Sequence, residues 1–585
     1  MSSFFTSSDK IKVGQTDVAV PSENGLDYRP GGKIDLYIPP TSKFVDLSQS
    51  RLKFDVTLSI PAITGSDGAM RVQLDAQTGL HSLIRSVRVF TGRKTALLEE
   101  IEGYDILTAL RFDYETNDNF KAKRALTEGA TDYDPACRGT LGTTKTIQGN
   151  CVSNPYFNKT SGNQSTSFTA SAASNLQVVK GELHLNTGLF RNESVFPALL
   201  TDGLFIEILL QDSRRVFRQL DSAARFRRLH LNPVFHSLNG SDTSSSTTGS
   251  FATAATATTI FCTRDNNQTS VATCPFVVGE HIALASSNNA SMSATGIISA
   301  IEQVTGAAFG TSKTKLTVDG ILNNTGNVIG KGLLPYYHVV SQTAEDSTTF
   351  DATYSISNVE MIVKQIQVPD GYEASMMAMM KEGGTINYDY RSFTNYRHSQ
   401  LQGDNVANIR LPLTESRATS ILCIPTDARV YTTKQQLSCS ETYKINEESG
   451  DVINRSSRSG LTGISDELQE YQFIYDGKIN PSRKVDVSKI SAKNSISQQW
   501  CIEAEKALAM ADIEPLSFLS FQDNFFIGRA LALGKNAVYD ARGRDFNLQV
   551  EYTGANVQTK NKLWNNYVAH LRRLVIKSGS LSVQV

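Results

Sequence analysis

The element this sequence specifies most clearly is the half-buried β-strand. From Arg51 to Ile60, Leu52, Phe54, Val56, Leu58 and Ile60 occupy alternate positions, and from Phe546 to Tyr552 so do Phe546, Leu548, Val550 and Tyr552. A period of two places those side chains on one face of an antiparallel strand and does not suit a helix. One such strand lies in each half of the chain, and each is read as closing a strand, helix-loop, strand unit. Many similar runs follow one another at short spacing, separated by polar loops, which points to two large β-sandwiches in tandem. At 585 residues the chain is too long for one core, so two or three domains are expected.

Residues 1–31 are polar, with Pro21, Pro30 and the pair Gly31-Gly32, and read as an extended arm outside any core. A first sandwich is expected over 32–368, with strands at Lys33–Pro39, Arg51–Ile60, Arg85–Phe90, Thr95–Ile101, Leu176–Leu185, Leu204–Leu210 and Tyr354–Val368. Ile106, Leu107, Leu110 and Phe112 fall near helical spacing and predict a short helix within 102–115. Residues 237–259 are a Ser/Thr/Ala-rich loop or linker, followed by three short strands within about 260–335. The stretch 237–346 is therefore read as a loop and a small β-domain inserted in the first sandwich, on the exposed loops where binding function concentrates. Residues 369–384 predict a linking helix whose Met376, Met377, Met379 and Met380 suit a gap-filling seam between sandwiches. The second sandwich spans 385–585 and contains an Ala-rich helix at Ser497–Asp512, with Pro515 beyond its end.

The chemistry of known catalytic sites has no counterpart here. His81, His184, His230, His236, His281, His338, His398 and His570 show no metal-ligand spacing, and no nucleophile elbow or phosphate-cradling loop occurs. Paired carboxylates such as Glu99-Glu100 and Glu447-Glu448 read as solvated charge. No cofactor and no metal is expected, and an enzyme ranks third among the functional readings. Seven cysteines are no disulfide framework. Cys137 with Cys151 and Cys262 with Cys274 flank loops and are placed to bridge, but free thiols are the favoured reading.

A formal charge of −1 gives no global attraction for nucleic acid, so no specific nucleic-acid recognition is expected. The densest basic cluster is Arg214, Arg215, Arg218, Arg225, Arg227 and Arg228, with His230. The favoured reading is a connection whose arginines pair with carboxylates such as Asp212 and Asp221 at a subunit contact. The alternative is an inner-face basic patch meeting phosphate. His570, Arg572, Arg573 and Lys577 form a weaker cluster of the same kind. Met1–Lys10 lacks the pattern of a secretory signal, and no apolar run reaches the ~18–20 residues of a membrane span. The expectation is a protein made in the cytosol with no membrane span, its Asn-x-Ser/Thr sequons unmodified.

The order of four passages resembles the double jelly-roll major capsid proteins of small eukaryotic double-stranded DNA viruses, the polinton-like virus and virophage group. They are Asp46–Val56, Leu80–Phe90 with Tyr104–Leu107, Ile356–Ile366, and Tyr471–Arg483 followed by the helix and the C-terminal strands. Each passage is weakly diagnostic alone, and the resemblance leaves out 116–175 and 237–346. It implies two tandem eight-stranded antiparallel jelly rolls and a homotrimer forming a pseudo-hexameric capsomer. Such capsomers tile an icosahedral virion shell around the DNA genome. The partners implied are neighbouring capsomers, minor capsid and penton proteins, and a host receptor through the inserted domain. The alternatives are a β-sandwich adhesin or carbohydrate-binding protein, and a single-jelly-roll capsid protein with a protruding domain.

Overall fold

The computed structural model describes residues 14–41, 43–60, 69–75, 78–115, 124, 127–128, 168–169, 175–221, 227–229, 236–238, 259–263, 281–285, 294–305, 312–319, 337–342, 353–428, 461–465, 468–475, 477–487, 498–515, 524–534, 537–552, 561–577 and 580–584. Cys137, Cys151, Cys274 and Arg225 lie outside them.

Eight strands build the first jelly roll: β1 (Gly14–Pro21), β3 (Lys33–Ile38), β4 (Phe44–Ile60), β6 (Ile84–Thr91), β7 (Leu97–Glu102), β9 (Asn175–Leu183), β10 (Leu204–Leu210) and β19 (Thr353–Gln367). They form two sheets, β1-β19-β4-β9 and β3-β10-β6-β7, with the short β2 (Asp27–Tyr28) also on β19. Numbered within the jelly roll, the orders are 1-8-3-6 and 2-7-4-5. Every pairing is antiparallel. Alternation in sequence becomes alternation in burial: along β3, Ile34, Leu36 and Ile38 point inward while Lys33, Asp35 and Tyr37 do not.

The second half repeats this order strand for strand. β20 (Ile386–Gln400), β21 (Val406–Leu411), β22 (Ala418–Asp427), β23 (Leu468–Tyr475), β24 (Lys478–Asp486), β25 (Ile527–Ala530), β26 (Phe546–Tyr552) and β27 (Lys562–Lys577) give the sheets β20-β27-β22-β25 and β21-β26-β23-β24. These are again 1-8-3-6 and 2-7-4-5, and β28 (Ser580–Gln584) adds to β27. In each jelly roll a helix follows the fifth strand: α1 (Tyr104–Glu115) after β7 and α3 (Gln498–Met510) after β24. Between the jelly rolls runs α2 (Asp370–Lys381). The fold is all-β with few helices, two jelly rolls of one topology.

Two sequence expectations are corrected here. Residues 14–21 are not part of an arm: they pair along their whole length with β19 and supply the first strand. The two alternating strands also do not close like units. Arg51–Ile60 belongs to the third strand of its jelly roll, whereas Phe546–Tyr552 is the seventh of its own.

Three loops at one end of the first jelly roll contribute to a small sheet, β11 (Phe217–Asp221), β5 (Ala69–Leu74) and β8 (Phe168–Thr169). Beyond it, between β10 and β19, lie β12 (Arg227–Leu229), β13 (His236–Leu238), β14 (Thr259–Thr263), β15 (His281–Ala285), β16 (Ala294–Thr305), β17 (Ser312–Asp319) and β18 (Tyr337–Gln342). The pairing runs β18-β13-β14-β17-β16-β15 and returns from β15 to β18, so these six strands close into a ring.

Candidate functional site

An edge strand offers backbone carbonyls and amides with no ladder partner, and a stable protein must cover them. β7 is the edge of its sheet, and the second jelly roll covers it. The Leu98 carbonyl accepts hydrogen bonds from Tyr390 Oη and from Arg572 Nη1, the latter at 2.7 Å. Asn395 Nδ2 donates to the Glu102 carbonyl at 3.0 Å, and Tyr567 Oη to the Gly103 carbonyl at 2.6 Å. All four donors lie on β20 or β27, the first and eighth strands of the second jelly roll. The two halves therefore meet as an edge strand seated on a neighbouring sheet, through hydrogen bonds rather than through a shared ladder.

Glu99 sits at the centre of this seam, fully buried. Its Oε1 accepts from the Gly188 amide and Ser392 Oγ, both at 2.8 Å, and its Oε2 from the Leu189 amide at 3.0 Å. Burial pushes its carboxyl above the usual range, opposed by those donors and by the charge of Arg572. The expectation that Glu99 and Glu100 form one solvated pair fails for Glu99. The register slips between Val89 and Phe90, so β7 places two residues against one, a β-bulge. Leu98 and Glu99 are consequently both buried, while Glu100 stays outside and pairs with Arg88 at 2.7 Å. Gly188 is required for a separate reason: a Cβ there would lie 1.5 Å from the Arg391 carbonyl of β20.

Further contacts extend the seam in both directions. Tyr388 Oη donates to the Ser194 carbonyl at 2.9 Å and Asn192 Nδ2 to the Asp389 carbonyl at 2.8 Å, which engages one sequon asparagine. At the end of α1, Tyr114 Oη donates to the Asn524 carbonyl and Asn524 Nδ2 donates to Asp113 Oδ2 at 2.6 Å. The rings of Tyr114 and Phe526 meet edge to face at 5.2 Å. Of the four methionines of α2, Met380 is buried in the core and Met376 and Met379 pack against it, while Met377 is exposed. The hydrogen bonds across the seam come from tyrosine, asparagine and arginine.

The C-terminal basic cluster is absorbed by the same contact. His570 is buried, with Nδ1 donating to the Val568 carbonyl and Nε2 accepting from Arg572 Nε at 2.9 Å. Burial, together with the neighbouring Arg572 charge, lowers its pKa to about 3. Arg573 grips both carboxylate oxygens of Asp389, at 2.7 and 2.8 Å, which holds that carboxyl below its ordinary range.

The first arginine cluster is dispersed over several elements. Arg214 and Arg215 fall on a helical turn, Ser213–Val216, Arg218 on β11, and Arg227 and Arg228 on β12. Arg215 is buried, and its charge acts on Asp105 in α1, so it presents nothing to a surface partner.

A buried constellation of His81, Glu128, Tyr104 and Arg124 superficially resembles a catalytic set. Tyr104 Oη accepts the Asn186 amide and sits 2.8 Å from His81 Nδ1, while His81 Nε2 lies 3.3 Å from Glu128 Oε2. His81 has no exposed surface, and burial lowers its pKa. The set holds Arg124 and Glu128 against the jelly roll, with the Glu128 carbonyl also accepting the Leu80 amide. Sequence reasoning missed both this clamp and the Glu99 seam, because neither has a local spacing signature. Among the described residues, no group of three or more His, Cys, Asp or Glu could hold a metal ion, and no helix is long and apolar enough to cross a membrane.

No family model matches this chain, and no curated protein matches it. Among solved structures it is similar to the VP54 protein of PBCV-1 fitted into a reconstruction of the virophage Sputnik. The identity is 8%, the TM-score 0.46, and the match covers 100% of both chains. It is also similar to the Faustovirus major capsid protein (9% identity, TM-score 0.43, 98% of this chain and 92% of that one). A third is the mavirus major capsid protein (8% identity, TM-score 0.34, 100% of this chain and 93% of that one). The double jelly roll itself rests on the strand orders described above.

Proposed function

We propose that this chain is the major capsid protein of an icosahedral virion with a double-stranded DNA genome. Three copies make a pseudo-hexameric capsomer, and capsomers tile the shell. The observation that carries this reading is the seam: two jelly rolls of one strand order, held side by side by buried hydrogen bonds. A rigid tandem of repeated sandwiches suits a tile, because its sides can be presented to neighbours in one geometry. The inserted domain and its loops then face outward, toward a host receptor, with minor capsid and penton proteins as further partners. Synthesis is in the host cytosol.

The carbohydrate-binding alternative needs exposed aromatic platforms. The chain has two tryptophans, and both Trp500 and Trp564 are buried, the first donating to the Phe526 carbonyl and the second to Gln400. Light scattering on a sizing column, with imaging of the same fractions, tests the capsomer. Three times the 64.0-kDa chain mass with six-cornered outlines is the expected result. A chain that stays monomeric at high concentration overturns it.

A further inference from the structure

Where α1 ends, five charged side chains from both jelly rolls come together at the seam. Arg111 and Glu115 lie on α1 and Arg191 on the loop after β9, all in the first jelly roll. Arg391 lies on β20 and Asp512 just beyond α3, in the second. Arg191 holds the Glu115 carboxylate at 3.2 and 3.5 Å and also donates to Asn186 Oδ1 at 3.1 Å. Arg391 Nη1 lies 3.5 Å from Asp512 Oδ1. Arg111 is held less directly. Its Nη1 is 3.9 Å from Glu115 Oε1, and its guanidinium centre is 5.7 Å from the centroid of the Phe393 ring. Arg111 is 3% exposed, yet its Nε and Nη1 have no hydrogen-bond partner among the described residues, and neither has Arg391 Nε. Unmade hydrogen bonds on a buried cation are costly, and native interiors seldom leave them.

Burial and the neighbouring Arg191 charge lower the pKa of Arg111 to about 10, so it remains a cation at neutral pH. Arg191 and Arg391 act on it with one sign, Glu115 and Asp512 with the other. Three guanidinium groups thus share two carboxylates, and one positive charge is left unbalanced. Water can satisfy bare donors but brings no charge, whereas an anion does both. We infer that this cluster binds one small oxyanion of the phosphate or sulfate class, held between Arg111, Arg191 and Arg391. An oxyanion offers several acceptor oxygens at once, which suits planar guanidinium donors. Arg191 and Asp512, with side chains 39% and 72% exposed, form the rim through which a free ion enters. The burial of Arg111 shuts out a phosphate carried on a polymer. Asp512 is the ion's competitor: its backbone is left-handed, with φ 63°, and its carboxylate already stands beside Arg391. A bound ion turns that carboxylate toward water and ties α1 of the first jelly roll to β20 of the second.

Equilibrium dialysis of the full-length chain against labelled inorganic phosphate, at fixed ionic strength in chloride, is the test. The wild-type chain is expected to bind one phosphate saturably, with sulfate competing. Arg111→Met removes the buried charge and is expected to fold, as circular dichroism checks, and to lose saturable binding. Asp512→Asn removes the competing carboxylate while keeping a residue that tolerates the left-handed backbone. It is expected to tighten binding about fivefold. Arg410→Met, at an arginine of β21 whose side chain is 79% exposed, is the control and is expected to bind as the wild type does. No saturable binding to the wild type, or equal binding to folded Arg111→Met, overturns the site. Where Arg111→Met does not fold, Asp512→Asn decides, and an unchanged affinity there overturns the site as well. None of these readouts depends on oligomeric mass, so their failure leaves the capsomer reading standing.

Discussion

α1 and α3 occupy the same place in their jelly rolls, yet they live in different surroundings. From Tyr104 to Tyr114 every residue of α1 is buried, including Asp105, Arg111 and Asp113. α3 buries Trp500, Glu503, Ala504, Ala507 and Leu508 on one side and leaves Gln499, Ile502, Glu505 and Lys506 in water. The difference does not come from helix propensity, since α1 is the more polar in its hidden positions. It arises because α1 is wedged between the two jelly rolls, whereas among the described residues the matching flank of the second has no such neighbour. One topological position therefore serves as an internal joint in one copy of the fold and as an outward face in the other.

The sharpest way to break that comparison is a matched pair of truncations. Leu110→Ala should destabilise by about 2–5 kcal/mol, because a fully buried side chain leaves a cavity. Ile502→Ala should change stability by no more than about 0.5 kcal/mol. Urea unfolding of the two variants decides it, and similar losses would mean that α3 is covered as α1 is. Gly188→Ala tests the seam beside α1 directly: its Cβ would collide with the Arg391 carbonyl, so a loss of about 3 kcal/mol is expected. Limited proteolysis should then reveal two separable halves.

A pH titration probes the same joint more gently. His570 is held neutral, with a folded pKa near 3 against about 6.5 in the unfolded chain, which takes up the proton first. Its contribution is therefore complete above about pH 6.5 and is lost as the pH falls toward 3. By linkage this amounts to about 2 kcal/mol between pH 7 and pH 5. His570→Gln keeps a donor and an acceptor but cannot titrate, and should remove that part of the slope. Glu99, pushed upward by burial, works in the opposite sense above its ordinary range. A modest effect belongs to Tyr114→Phe, which removes one hydrogen bond across the wedge and should cost about 1 kcal/mol.

Much of the framework was readable from pattern. The alternation over Tyr354–Val368 corresponds to β19, and the helical spacing of Ile106, Leu107 and Leu110 to α1. β1 escaped because its residues are mostly exposed and carry no long alternating apolar run; its identity is set by pairing with β19, more than 300 positions away in sequence. Glu99 escaped because what engages its carboxylate, the Gly188 and Leu189 amides and Ser392, lies about 90 to nearly 300 positions away in sequence. The donors to the Leu98, Glu102 and Gly103 carbonyls lie nearly 300 to more than 460 residues away in sequence, and no spacing rule links Leu98 with Tyr390 or Gly103 with Tyr567. Hydrophobic periodicity thus reports the inside of each sandwich, while the polar joint between sandwiches is written in long-range geometry.

The ring closed by β15 and β18 has a consequence for how such a molecule changes over generations. Each strand of the closed set already has two partners within it, and outside the ring only β12, on β18, pairs with it among the described strands. The connection from β10 to β19 therefore acts as a socket. What is plugged into it can be exchanged or rewritten without resetting the register of β19, which its neighbours β1 and β4 fix independently. The ring and the frame of β1, β19 and β4 are thus free to diverge at separate rates.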